Sequence, residues 1–227
     1  MLEIAAGTGV LTRRLAIALP GSTSLVATDL NASMLQQAIA IGTQRPIQWQ
    51  VADALQLPFA DASFDAVVCQ FGVMFFPDKA RAYAEIRRVL QPHGKLLFNV
   101  WDRIEENEFA ALTELALERL FPARPPRFLS RTPYGYYDPV SIERELAEGG
   151  FSLKPEVYTI AAQSRADSAL VPAEAYCLGT PLRNEIESYS RSALGAATDC
   201  VAEAIARRFG TSSVVGKIQA RVFSVAR

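Results

Sequence analysis

A glycine-rich turn near the amino terminus carries the first chemistry in this chain. Glu3-Ile4-Ala5-Ala6-Gly7-Thr8-Gly9 follows an apolar run and opens a segment of helical period. Glycines at a strand–helix junction let the backbone approach a ligand with no Cβ in the way. The helix amino terminus there favours a negative group such as a carboxylate. A dinucleotide fingerprint needs a third glycine where this chain has Thr12. Glu3, four positions before Gly7, favours instead a ligand with an ammonium group over a pyrophosphate. Asp29 stands twenty residues beyond Gly9, at the end of a second apolar run. A carboxylate in that place accepts two hydrogen bonds from a ribose diol, worth about 1.5–3 kcal/mol each. Asp53 ends a third run, in Val51-Ala52-Asp53-Ala54, where a carboxylate can accept from an exocyclic amine.

These residues need strands that end beside one another. Leu2–Ala5, Ser24–Thr28, Ile47–Val51, Phe64–Gln70 and Lys95–Trp101 read as five strands. The fourth is nearly continuously apolar, as a strand buried on both faces should be. Helices alternate with them. Val10–Leu19 has Val10, Leu11, Leu15, Ala18 and Leu19 on one face and Thr12, Arg13 and Arg14 on the other, with Pro20-Gly21 as its stop. Asn31 offers an N-cap for a helix whose buried stripe is Met34, Leu35, Ala38 and Ile39. Pro77 suits the first turn of a helix running to about Leu90. Such alternation implies right-handed crossovers and a parallel sheet.

The second half differs. Glu106–Phe121 reads as an apolar helix, and Phe121–Pro139, with its prolines and tyrosines, as a loop or lid outside the core. Ser141–Glu148 is helical, Gly149-Gly150 ends it, and Phe151–Ile160 is strand-like. Ala166–Phe209 is mostly helical, and Val214–Val225 closes the chain as a strand. The expectation is one domain over residues 1–227: a ligand-binding core at 1–102, a lid region at 103–140, and late strands at 141–227 with a helical insertion at about 166–209.

Composition narrows the function. With 227 residues, 50% of them apolar and a net charge of −1, the chain has the makings of a large core and is not disordered. Balanced charge does not suggest a dominant nucleic-acid or anionic-membrane role, though it leaves room for a local basic patch. No apolar run approaches the roughly 18 residues of a membrane span, and the first residues do not read as a signal peptide. Three widely spaced cysteines imply no disulfide framework and fit a reducing cytoplasm. A single histidine and no Cys-x-x-Cys argue against a His/Cys metal site.

Four segments in register, Leu2–Gly9, Asp29-Leu30-Asn31-Ala32-Ser33-Met34-Leu35, Ala52–Phe59 and Arg88-Val89-Leu90-Gln91-Pro92-His93-Gly94, resemble a class I S-adenosylmethionine (SAM)-dependent methyltransferase. The resemblance is nearest to the type 11 group that includes quinone-biosynthesis C-methyltransferases, and covers about residues 1–102. It implies a Rossmann-like, doubly wound α/β fold: a seven-stranded sheet of order 3-2-1-4-5-7-6, its last strand antiparallel, with a helical lid or insertion. It implies SAM as methyl donor, no metal, and a small-molecule acceptor. Glu3, Ala5 and the backbone of Gly7, Thr8 and Gly9 would hold the methionine part, and Asp29 the ribose. Leu30 and Met34 would line the adenine, Asp53 and Ala54 would read its edge, and Gln70 would lie near the methyl group. Family members usually have glycine at Ala5 and at His93. They also carry some tens of residues before the first motif that cover the cofactor, whereas this chain begins inside its first strand. A catalytically silent SAM-fold binding protein is therefore the alternative reading.

The absence of an Asn/Asp-Pro-Pro-Tyr-like run at Cys69-Gln70-Phe71-Gly72 argues against methylation of nucleic-acid amino groups. A small hydrophobic or aromatic acceptor is expected, although Gly72-Val73-Met74-Phe75 departs from the Gly-x-Arg-Asn run of the quinone enzymes. Phe71, Met74, Phe75 and Phe76 are candidate acceptor contacts, and Trp101 a candidate wall. Candidates for a catalytic base are Asp102, Tyr134, Tyr136 and Tyr137. His93 is not one, because its turn falls at the amino edge of the sheet, away from the cofactor. Cys69 reads as a small core residue.

Overall fold

The computed structural model describes every residue except Arg191, which falls within the expected helical insertion. In chain order the elements are β1 (Leu2–Glu3), α1 (Val10–Ala18), β2 (Val26–Asp29), α2 (Ala32–Ile41), β3 (Gln48–Val51), β4 (Phe64–Gln70), α3 (Lys79–Val89) and β5 (Leu90–Trp101). Then come α4 (Glu108–Leu120), α5 (Phe128–Arg131), α6 (Pro139–Glu148), β6 (Glu156–Ser168), α7 (Leu170–Cys177), α8 (Leu182–Glu187), α9 (Ala193–Phe209) and β7 (Ser212–Ala226). The strands form one mixed sheet of order β3-β2-β1-β4-β5-β7-β6, the order expected for the doubly wound fold, with antiparallel pairing at the β7 end. β1 lies parallel between β2 and β4, with Glu3 level with Ala27 on one side and Val68 on the other. The carboxyl ends of β1, β2 and β4 thus open toward the same side.

Two compact units are distinguished. Residues 1–100, 138–158 and 221–227 make the first, and residues 101–137 and 159–220 the second. The core of the first is built by alternation: Leu96, Phe98 and Val100 of β5 are buried while Lys95 and Leu97 face outward. Phe98 stacks on Phe223 at 5.0 Å between ring centroids, and Tyr83 of α3 packs against Phe98 at 5.6 Å. The second has a core of its own, including Phe109 and Leu117 of α4, Cys177 of α7, Ile186 of α8 and Val201 and Ile205 of α9.

Several expectations are corrected. α1 turns Thr12 and Ala16 inward and leaves Val10 60% exposed, so its buried face is not the aliphatic one. Small residues four apart let the helix approach the sheet closely, and Thr12 lies against the buried Glu3 carboxyl. In α2 only Leu35 and Ala38 are buried, while Met34 and Ile39 are exposed. α3 begins at Lys79 behind an Asp78 cap that accepts from the Arg81 amide, so Pro77 precedes the helix. Phe121–Pro139 is not merely a loop: it holds α5 and buries Phe128, Leu129 and Tyr134 in the second core. The short helix fits between Pro126 and Pro133, and the Glu185 carboxylate accepts from the Arg127 and Phe128 amides at its start. His93 lies exposed between Leu90, paired with Phe64, and Lys95, paired with Ala66. That places it at the amino end of β5, as the sequence reading requires.

Arg88, in the last turn of α3, ties down the loop that follows Asp53. Its guanidinium donates to the carbonyls of Leu57 (2.9 Å) and Phe59 (2.7 Å) and to the carboxylates of Glu85 and Asp61. The paired guanidinium holds the Glu85 carboxyl below its ordinary value. Arg88→Ala is expected to cost about 2 kcal/mol, since several charge-assisted bonds are lost from a partly exposed site. Thermal melting checks this; an unchanged midpoint would show the loop to be held by other contacts.

Candidate functional site

A cavity of about 540 Å³ opens in the first unit at the carboxyl ends of β1, β2, β3 and β4. That is the place where open α/β sheets bind ligands, at the reversal of strand order. Its floor is the turn after β1. Ala6 N donates to the Thr28 carbonyl at 2.9 Å, which fixes the turn to β2. Gly7 and Gly9 have φ of 57° and 77°, values that only glycine adopts without cost. Gly9 also allows close packing, because a Cβ there would stand 3.0 Å from the Trp49 ring and 3.1 Å from Ala38.

Ala5 has φ of 52° as well, although it carries a Cβ. Its Cβ is accommodated by Gly72, where any side chain would come within 2.5 Å of it and 2.7 Å of Cys69 Sγ. The alanine at a position where the resemblance favours glycine is thus matched by a glycine across the cavity floor. Phe71, beside Gly72, also has positive φ (53°), and its amide donates to both the main-chain and side-chain oxygens of Asn99. Backbone strain of this kind gathers where neighbouring structure over-determines a site.

Asp29 organises the polar side. Its Oδ2 accepts from Gly7 N and its Oδ1 from Asn31 N, each at 2.8 Å. Asn31 in turn caps α2 by accepting from the Ser33 and Met34 amides. The carboxylate is therefore held by two backbone donors, and each oxygen retains a lone pair for a hydroxyl. Asp53 Oδ1 accepts from Leu55 N at 2.9 Å, while Oδ2 accepts no hydrogen bond among the described residues. Apolar walls complete the cavity: Val10, Leu30, Met34, Phe71, Phe75 and Phe76.

The residues singled out from sequence mostly converge here. Ala5, Gly7, Thr8, Asp29, Leu30, Met34, Asp53, Ala54 and Gln70 all line the cavity. Glu3 and Gly9 do not. Glu3 is 1% exposed, and strand alternation turns it to Thr12 behind the glycine turn. Burial pushes its carboxyl up to about 7, opposed by Thr12 and Arg13, and its Oε2 has no hydrogen-bond partner among the described residues. Met74 is core, whereas Phe71, Phe75 and Phe76 reach the cavity. Val10, Asn31, Leu55 and Pro77 also line it and were not anticipated. For Asn31 the capping signal marked the right place, and for Val10 the misjudged helix face hid it.

The base candidates belong to the second unit. Asp102 is buried there, its carboxylate accepting from Gln219 Nε2 at 2.7 Å and from the Arg103 amide. Tyr134 is buried with its hydroxyl 3.3 Å from that of Tyr176 and its ring 5.8 Å from Trp101. Burial and the neighbouring hydroxyl hold that phenol far above its ordinary range. Both side chains are engaged within the second unit, and neither lines the β1–β4 cavity. Tyr136 and Tyr137 are half-buried. Among the described residues no helix is long and apolar enough to cross a membrane, and no three metal-ligating side chains cluster.

Fold and cavity together define a doubly wound α/β protein with a pocket at the carboxyl ends of its first strands, and comparison with known proteins identifies its family. Residues 2–98 match the family model described as a methyltransferase domain. The chain is 30% identical over 172 residues to the demethylmenaquinone methyltransferase of Thermus thermophilus, covering 70% of this chain and 77% of that one. It is 43% identical over 101 residues to a ubiquinone/menaquinone biosynthesis C-methyltransferase of Hahella chejuensis, covering 43% of this chain and 41% of that one. Among solved structures, a SAM-dependent methyltransferase of Methanosarcina mazei superposes with a TM-score of 0.55 at 17% identity, over 100% of this chain and 91% of that one. The chain belongs to the class I SAM-dependent methyltransferase family.

Proposed function

We propose that this protein binds SAM in the β1–β4 cavity and transfers its methyl group to a small hydrophobic or aromatic acceptor. The observation that carries the reading is Asp29. Its two oxygens are fixed by the Gly7 and Asn31 amides, at the spacing a ribose diol needs. Asp53 Oδ2 is available to an adenine amino group, and Leu30 and Met34 offer apolar contact to the ring. The open approach over Gly7 suits the methionine carboxylate, with Glu3 supporting the turn from behind. When bound, SAM supplies an electrophilic methyl on a sulfonium. The residues of this chain bind, orient and keep the site dry. Holding two reactants in line contributes about 7–11 kcal/mol, so an intrinsically nucleophilic acceptor needs no dedicated base. Gln70, at the end of β4, and the Phe71, Phe75 and Phe76 rings are assigned to the region of the methyl group.

Similarity to demethylmenaquinone and ubiquinone/menaquinone enzymes supports an aromatic acceptor of quinone type. A silent SAM-binding protein is the second reading, favoured by the exposure of Val10, Leu30 and Phe75 at the cavity. Titration calorimetry with SAM and with its demethylated product tests the first step. Micromolar binding is expected, and a folded chain that binds neither would overturn the assignment. Labelled SAM with a panel of demethylated quinols then separates enzyme from binder.

A further inference from the structure

We propose that the second unit holds another ligand site, for a small organic anion with a carboxylate or phosphate head and an apolar body. A cavity of about 490 Å³ lies between the segment from Arg124 to Arg131 and the α8 region. That volume is within the range of small-molecule sites, about 300–1,000 Å³, and larger than an inorganic ion fills.

Three arginines line it, and two are already paired. Arg127 meets Glu118 at 2.7 Å and Glu114 at 3.6 Å, and Arg131 pairs with Glu185. Glu185, the carboxylate in the lining, is further taken up by the Arg127 and Phe128 amides. Arg124 has no carboxylate partner among the described residues. Its Nη2 donates to Ser188 Oγ at 3.0 Å, and its guanidinium lies over the Tyr189 ring, 5.1 Å from the centroid. The cation is thereby oriented with most of its donors unspent, the arrangement that recognises an oxyanion.

Tyr189 shapes the same site: it lines the cavity and its ring is stacked on Phe121 at 4.2 Å, which holds it in place beneath the guanidinium. Pro125, Pro126 and the tyrosine ring then supply the apolar wall for the body of the molecule.

Phenyl phosphate and benzoate, with inorganic phosphate and neutral benzyl alcohol as controls, test this by calorimetric titration of the full chain. At least one aromatic anion is expected to bind at least about tenfold tighter than benzyl alcohol, and to weaken as salt rises. The two anions differ in their head, so their ranking tells phosphate from carboxylate. Arg124 is exposed, so Arg124→Gln leaves the fold intact and is expected to lose about tenfold in affinity for the anion. Tyr189→Leu, which removes the ring that orients the guanidinium, is expected to lose severalfold. SAM affinity in both variants should be unchanged, which separates this site from the methyltransferase cavity. Equal binding of benzyl alcohol, no effect of Arg124→Gln, or no binding of either anion at about 10 mM would overturn the proposal.

Discussion

Asp29→Ala is expected to bind SAM at least about tenfold more weakly than the native chain. Two causes act together. The substitution removes the acceptors proposed for the ribose hydroxyls, charge-assisted bonds of about 1.5–3 kcal/mol each. It also removes the partner of Gly7 N, which Asp29 holds at 2.8 Å, and so loosens the turn that must approach the cofactor. Loss of one full bond alone corresponds to about tenfold or more in affinity. Asp29→Asn, which keeps one carbonyl acceptor, should fall between. Calorimetry with SAM measures both, with circular dichroism to confirm folding. Unchanged affinity in folded Asp29→Ala would remove the ribose assignment and with it the main support for the proposed function.

The second large effect concerns Glu3 and pH. Burial raises its carboxyl in the folded chain to about 7, against an ordinary value of 4.5. Between those values the folded state keeps a proton that the unfolded chain has released. Stability from this group is therefore full below about 4.5, declines as pH rises, and is lost above about 7. The cost of ionising it in the folded state is on the order of 3 kcal/mol. Glu3→Gln cannot ionise, so its stability curve should be flatter across that window, and it should gain on the native chain most at pH 8. Urea unfolding at several pH values reads the slope. Parallel curves for variant and native protein would mean that Glu3 ionises normally in the fold.

Both predictions start from residues that the chain marks by type and spacing. Asp29, Gly7 and Asp53 were legible because local rules place them: a carboxylate at the end of an apolar run, glycines where a strand meets a helix. They gather at the cavity because the parallel strands β1, β2 and β3 end in register on one side. β4 was read to its exact residues for a similar reason, as a nearly unbroken apolar run has few other places to go. Asn31 was read correctly as a cap because capping is settled within a few residues.

Where burial depends on a neighbour, the sequence was silent. An aliphatic stripe on α1 suggested one inward face. The helix uses Thr12 and Ala16 instead, because the sheet beneath it presents Glu3 and admits only small groups. The proline-rich stretch after α4 read as a lid, yet the distant Glu185 caps α5 and pulls Phe128 and Leu129 into a core. Asp102 and Tyr134 had the chemistry of a base, but Gln219 and Tyr176, far along the chain, occupy them. Ala5 and Gly72 make the same point in miniature: neither residue alone tells that one holds the Cβ for which the other leaves room. The sequence by itself determined the strand–helix alternation and the residues that gather at the cavity, since these follow from periodicity, turn chemistry and spacing along the chain, while the strand order and the family came from the resemblance of its four motifs. Only the tertiary structure decided which faces are buried, which carboxyl is pushed up by burial and which polar side chains are taken up by distant partners, because desolvation and pairing are set by residues that meet across the fold.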